Sequence, residues 1–245
     1  MLKTQNQINE INVDSAEDLW LRISPGKQSV DPLGKYIYRG QSDSSWGLVP
    51  SILRKNVHPV SYLTNKGDGL AEWENRIGSE VMVLNMFVAN CDEAGLAIPG
   101  DSIQLRAWLA EYSLNGIFGV EYWPDPRCYE LMAIAQHYGV PTRFLDWTKN
   151  PYIAAYFAAE KYLNENYNPS GQFSVWAFDT MNMFGGSVFN LSIVPVPGSN
   201  NKFIQAQHGV FSVLRQRIDL MQNKNNDINE KKFNDLFDSE LNSDV

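Results

Sequence analysis

The sequence predicts an α+β domain with a mixed or antiparallel sheet and a helical N-terminal half. Three observations carry that expectation. Ile77, Val81, Leu84 and Val88 recur at spacings of three and four, the period of a helix with one buried face. Strand-type alternation is concentrated later, in QFSVWAF (172–178), SVFNLSIVPV (187–196) and residues 202–214, with YIYRG (36–40) standing in front. Helices and strands are therefore grouped instead of alternating, which argues against a parallel doubly wound sheet.

Taken in order, residues 1–14 are polar and read as a flexible tail. Ser15 stands three residues before Asp18, a capping-box-like start. Leu19, Trp20 and Ile23 then share one face of a short helix. YIYRG is a strand ending at Gly40, and QSDSSWGLVP (41–50) is a turn-rich loop carrying Trp46 and Leu48. SILR (51–54) opens a short helical turn after Pro50. A long helix covers about 71–94 and stops at Gly95. A second covers about 103–114, WPDP (123–126) breaks the chain, and a third runs over about 127–137 until Gly139 and Pro141 end it. TRFLDW (142–147) is a short strand. Asn150 and Pro151 supply the N-cap and first position of a helix over PYIAAYFAAEKYL. Beyond Met221 the chain is rich in Asn, Asp, Lys and Glu, so residues 222–245 read as a polar mobile tail.

No Pro/Gly/Ser-rich linker divides the 245 residues, so one domain over 15–221 is expected. Seven Trp, eleven Tyr and twelve Phe supply its core. The net charge of −8 argues against a nonspecific grip on nucleic acid, which needs clustered Lys and Arg, but leaves room for a local basic pocket. Cys91 and Cys128 stand apart without a CxxC context and read as free thiols of a reduced compartment. MLKTQNQINE lacks the apolar core of a signal peptide. The apolar run YIAAYFAA is far shorter than the roughly 20 residues that span a bilayer. A cytoplasmic protein without membrane contact is the expectation.

Several chemistries lack their sequence signatures. There is no GxGxxG and no GxxxxGK[ST]. There is no HExxH, HxxxH or Cys/His cluster for zinc, and no metal site is expected. Neither a GxSxG elbow nor the DxD or DxH pair of a metal-dependent phosphohydrolase or nuclease occurs.

What remains is a small set of polar residues. Arg39 closes a strand beside Gly40: its guanidinium fork suits phosphate or carboxylate, and a glycine lets a ligand approach the backbone. An ion pair with an Asp is the structural alternative. Asp146 and Thr148 lie where a strand hands over to a helix capped by Asn150, whose first amides would favour an anion. Equally, Asp146 could pair with Arg143 or Arg39 while Thr148 shapes the turn. His137 ends a helix, where it either complements the dipole or serves as acid or base, and the same two roles are open to His208. Gln205 and Gln207 share one strand face. Glu72, Glu74 and Glu80 fall on the long helix and are expected to face solvent.

Three blocks carry a family resemblance. YRGQSDSSWGLVPSILR (38–54) resembles the Phe-Arg-Gly-type opening of the FRG domain family, with Tyr38 in place of the Phe. IAQHYGVPTRFLDWTKNPYIAAYFA (134–158) resembles that family's long central signature, with Phe144 replacing a Leu, and QAQHGVFSV (205–213) is similar to its Gln-x-Gly-x-Phe block. The family's layout is similar to that of the ADP-ribosyltransferases, which implies a split sheet and NAD as substrate. Arg39 and Gly40 match the front-strand element that holds NAD. Leu145 to Thr148 followed by Ala154 to Ala158 resembles the second element, and Gln207 falls where a carboxylate would engage the nicotinamide ribose.

The resemblance implies catalytic roles for Arg39, His137, Asp146 and Gln207, with Asp146 or Glu80 substituting for the missing glutamate. It implies contact with NAD through Arg39, Gly40, Gln41, Arg143 and Thr148. The expected function is an ADP-ribosyltransferase-like or NAD-cleaving enzyme, a toxin or phage-conflict effector acting on a protein target. The alternatives are a nucleotide- or anion-binding module without turnover, and a protein-interaction module using the aromatic residues Trp46 and Trp147.

Overall fold

The computed structural model describes residues 9–26, 29–54, 72–115, 121–163, 171–180, 191–195 and 209–217. Its strands are β1 Tyr36–Gln41, β2 Tyr122–Trp123, β3 Leu145–Thr148, β4 Ser174–Asp179, β5 Leu191–Val194, β6 Gly209–Leu214 and β7 Gln216–Arg217. Its helices are α1 Ala16–Ile23, α2 Glu72–Ala94, α3 Ile103–Asn115, α4 Tyr129–His137 and α5 Pro151–Ala159. Five strands form one sheet in the order β4-β1-β3-β6-β5, and β2 pairs with β7 in a separate ribbon. Every pairing is antiparallel. The expected α+β class and antiparallel sheet match this arrangement. The β2–β7 ribbon was not foreseen, because two-residue strands carry no alternation to read.

The sheet lies between two apolar layers. On one side Ile77, Val81 and Leu84 of α2 pack with Leu109 of α3, Leu131 of α4, and Phe144, Phe211 and Val213. On the other, Ile37, Leu145, Trp147, Phe178, Val210 and Leu214 pack with Leu48 from the 41–50 loop. Strand β6 feeds both layers from alternate residues, which is why VFSVL reads as a nearly unbroken apolar run. Its one polar member, Ser212, accepts a hydrogen bond from Trp147 Nε1 at 2.7 Å.

Local signals account for the boundaries. The Ser15 side chain caps α1 by accepting from Asp18 N at 3.0 Å. Gly95, at φ +64°, follows α2. The turn after Pro50 is a 3₁₀ turn over Ser51–Leu53. The expected strand over 142–147 is shorter and shifted to 145–148. Thr142 Oγ1 there accepts from Phe144 N at 3.1 Å and Arg143 turns into the interior, so residues 142–144 cannot follow a ladder. The strand expected over 187–196 is described as β5, and residues 202–208 lie outside the described residues. So do both termini, except that residues 9–14 of the polar tail are described and carry no regular structure. Both cysteines are free and buried. Among the described residues no helix is long and apolar enough to cross a membrane.

Candidate functional site

Strand β1 begins on a polar anchor. The buried Asp31 carboxylate accepts from Lys35 N at 2.8 Å, Tyr36 N at 2.9 Å and the Tyr38 hydroxyl at 3.1 Å. Burial by itself would raise its pKa, yet these donors outweigh burial and hold Asp31 below the usual carboxylate range. The same strand pairs along its whole length with β4 but shares a single bridge with β3, Tyr38 opposite Thr148. Beyond that bridge the Arg39 side chain takes over, and its Nη1 donates to the Asp146 carbonyl at 2.7 Å.

A cavity of about 850 Å³ opens at this point. Its lining includes Arg39, Gly40, Gln41, Arg54, Asp146 and Thr148, with Trp46, Ile153, Phe157 and Phe211 as apolar walls. Five of the expected site residues are thus brought to one cleft from β1 and β3. Arg39 is the most enclosed charge in it. Its side chain is 14% exposed, against 63% for Asp146, whose Oδ2 lies 3.7 Å from Arg39 Nη1. Arg39 Nε is buried and lacks a hydrogen-bond partner among the described residues. Burial pulls the guanidinium pKa down; the nearby Asp146 opposes that and Arg54 adds to it. An arginine so placed remains charged and gains by meeting an anion.

Arg54 was not foreseen. Its Nε donates to Val49 O at 3.0 Å, and the 3₁₀ turn before it docks on Thr142, with Ser51 Oγ accepting from Thr142 N at 3.1 Å. Pairing between residues 91 positions apart leaves no local trace in a sequence.

The segment from Gln136 to Thr148 is shaped by its punctuation. Gly139, at φ +82°, follows α4, its N–H donating to Gln136 O at 2.9 Å while Val140 N donates to Ala135 O at 2.9 Å. This double closure is a Schellman motif and needs a left-handed residue at 139. The chain then turns through Pro141 and Arg143. Arg143 Nε and Nη2 donate to the Glu80 carboxylate at 2.7–2.9 Å, and Trp123 Nε1 donates to the same carboxylate at 2.7 Å. Both charged side chains are enclosed, 2% and 4% exposed.

The model of the FRG domain family matches residues 106–167. Over those residues the chain is similar to an FRG domain. No curated protein and no solved structure matches the chain. The FRG match runs from α3 through α5 and so contains the Gln136–Thr148 segment, Glu80's partner Arg143 and one wall of the cleft. Strands β1 and β6, which supply Arg39 and Phe211, lie outside the matched residues.

Several expectations change once the FRG segment is seen in three dimensions. Arg143 is not in the cleft lining: its guanidinium is committed to Glu80, so it does not reach a ligand there. Glu80 does not face solvent, because that ion pair and the Trp123 indole hold it inside, and it is not a substitute for a catalytic carboxylate in the cleft. The side chains of Glu72 and Glu74 lie outside the described residues. His137 is exposed, edge-on to Tyr138 at 5.4 Å, and outside the cleft lining.

Gly40 has a different reason to be glycine. A Cβ there would strike the Ala154 carbonyl oxygen and stand 2.6 Å from Ala158 N, so its absence admits helix α5, not a ligand. The α5 amides are also spoken for. Pro151 has no N–H, Tyr152 N donates to Asn150 Oδ1 at 2.9 Å, and Ile153 and Ala154 donate to Asn150 O at 3.2 and 3.3 Å. That helix N-terminus has no free donor for an anion among these residues. Gln41 uses both ends of its amide inside the protein, donating to Gly47 O at 3.1 Å and accepting from Trp176 Nε1 at 2.6 Å. It clamps the Trp46 loop as a wall of the cleft. Thr148 Oγ1 accepts from Asn150 N at 3.0 Å and shapes the strand-to-helix turn. Trp147 is buried and is not a contact surface, whereas Trp46 is half-exposed beneath Lys161 Nζ, 4.6 Å from the ring centre.

Gln207, Gln205, His208 and His58 lie outside the described residues. Among the described residues no three His, Cys, Asp or Glu side chains stand together as a metal-holding group.

Proposed function

We propose that this chain is an ADP-ribosyltransferase-like or NAD-cleaving enzyme, that NAD is its substrate, and that it serves as a toxin or phage-conflict effector with a protein target. The observation that supports the reading is the cleft itself. It places Arg39, with its unpartnered Nε, and Arg54 in one lining with Trp46, Phe157 and the Asp146 carboxylate. Two guanidinium groups suit a pyrophosphate. The aromatic walls suit a base, and about 850 Å³ is within the range of small-ligand sites. The single β1–β3 bridge is compatible with the split sheet that the ADP-ribosyltransferase layout calls for.

On this reading the bond between the ribose C1′ and the nicotinamide nitrogen breaks, and nicotinamide leaves with the bonding pair. The cationic ribosyl carbon that remains is stabilised by Asp146. A nucleophile on the target, or water, then adds at C1′ and releases its proton to solvent. Arg39 holds the phosphates throughout. Gly209–Phe211 line the same cleft, and Gln207 stands two residues before them in the sequence.

Millimolar NAD is expected to raise the melting temperature, Arg39→Ala to remove the shift, and chromatography to show nicotinamide release that depends on Asp146. An unmoved melting curve at millimolar NAD sinks the reading. A second reading, a nucleotide- or anion-binding module without turnover, has its own support: Asp146 is the one carboxylate among the described lining residues. It predicts a thermal shift with no nicotinamide released.

A further inference from the structure

We propose that Gln136 is a positioning residue that, together with Thr142, orients the Asp146 carboxylate toward Arg39 and the cleft. The functional part of this inference rests on the reading that Asp146 faces the substrate.

The chemistry of the hydrogen bonds fixes their direction. The Asp146 carboxylate can only accept, so its partner Gln136 gives it the NH₂ and keeps Oε1 for Thr142, whose Oγ1 already accepts from Phe144 N–H at 3.1 Å and still holds its own proton. That proton goes to Gln136 Oε1, and Gln136 Nε2 donates to Asp146 Oδ1. The series runs one way, from the backbone at 144 through Thr142 and Gln136 to the carboxylate. With Oδ1 occupied, Oδ2 is the oxygen that stands 3.7 Å from Arg39 Nη1.

The backbone that carries the series is pinned on both sides. The Schellman closure at Gly139 fixes the end of α4, and the Arg143–Glu80 pair anchors the return. Asp146 is 63% exposed, so water would solvate it without Gln136. Losing the bond alone therefore costs little stability and acts mainly on orientation, whereas a second carboxylate held against Oδ1 by this pinned backbone adds a like-charge repulsion that melting can read. Gln136 is not in the cleft lining and acts only through Asp146. Its chain neighbour His137, the more obvious candidate in the sequence, points elsewhere.

A donor–acceptor exchange tests this on the full chain. Gln136→Glu keeps an oxygen for Thr142 but sets a second carboxylate against Asp146. Its melting temperature is expected to fall below wild type at pH 8 and to recover toward pH 5, where the two groups share a proton. Adding Asp146→Asn restores a donor–acceptor pair with its direction reversed, so Q136E/D146N is expected to melt like wild type at pH 8. A Gln136→Glu variant whose pH profile superimposes on wild type, or a double variant that is not rescued, overturns the orientation claim.

Turnover then separates positioning from support. Gln136→Leu, which keeps Asp146 but takes away its donor, is expected to melt close to wild type and to release nicotinamide from NAD about a hundredfold more slowly. Wild-type turnover in that variant would reduce Gln136 to a structural role. If wild type itself neither binds nor cleaves NAD, the functional reading fails, while the melting profiles still decide whether Gln136 orients Asp146.

Discussion

Glu80 and Arg143 form the most enclosed charge pair described, and removing one partner leaves the other charged in an apolar layer. Arg143→Met is expected to cost about 3–5 kcal/mol, read as a lowered urea midpoint. The double change Glu80→Met with Arg143→Met is expected to cost less than the sum of the single changes. Asp31 makes a different prediction. Its folded pKa lies below the usual range, so its contribution is complete above about pH 4 and is lost as the pH falls through the folded value. Asp31→Asn should therefore flatten the acid limb of the stability profile and leave the slope between pH 6 and 8 unaltered, as melting curves across pH would show. The sequence disclosed the importance of 136–148, because a polar, Gly/Pro-punctuated run inside an apolar frame needs a reason. It did not disclose which member does what: Arg143 finds its partner 63 residues away, and no local pattern encodes that distance.

At the scale of elements, the contact between β1 and α5 sets the position of the cleft wall. Gly40 admits Ala154 and Ala158 to backbone contact, so Gly40→Ala must push the helix away or strain the strand. A loss of about 1–3 kcal/mol is expected, and on the proposed reading NAD would raise the melting temperature of this variant less than that of wild type. Gly139→Ala should cost about 1–2 kcal/mol through the left-handed backbone alone, and urea titration of both variants separates the two effects from wild type. Helix positions were legible because caps and stops are local: Ser15, Gly95, Asn150 with Pro151, and Gly139 all do what their residue types dictate. Strand extents were less so. TRFLDW has the composition of a strand, but Thr142 and Arg143 spend their hydrogen bonds on side-chain partners, and β structure starts only at Leu145.

For the whole molecule, the two apolar layers share one sheet, and β6 belongs to both. Trp123 reports on one layer and Trp147 on the other. Unfolding followed by tryptophan fluorescence and by far-ultraviolet circular dichroism is expected to give one coincident transition; two separated midpoints would show that the layers melt independently. A ligand held at a hundred times its dissociation constant should raise that single transition by about 2.7 kcal/mol. The α+β class was visible in the grouping of helices and strands. The strand order was not, since β1 lies between β3 and β4, far from both in sequence.

The backbone contact at Gly40 also divides the cleft into parts with different freedom to change. Strand and helix meet there without intervening side chains, so this flank has no atoms to trade and tolerates almost no variation. The opposite flank, residues 42–49, hangs on a few side-chain clamps and leaves Ser45 and Trp46 at the rim. New preferences for what enters the hollow are therefore most readily acquired from that loop, while the helical flank stays as it is.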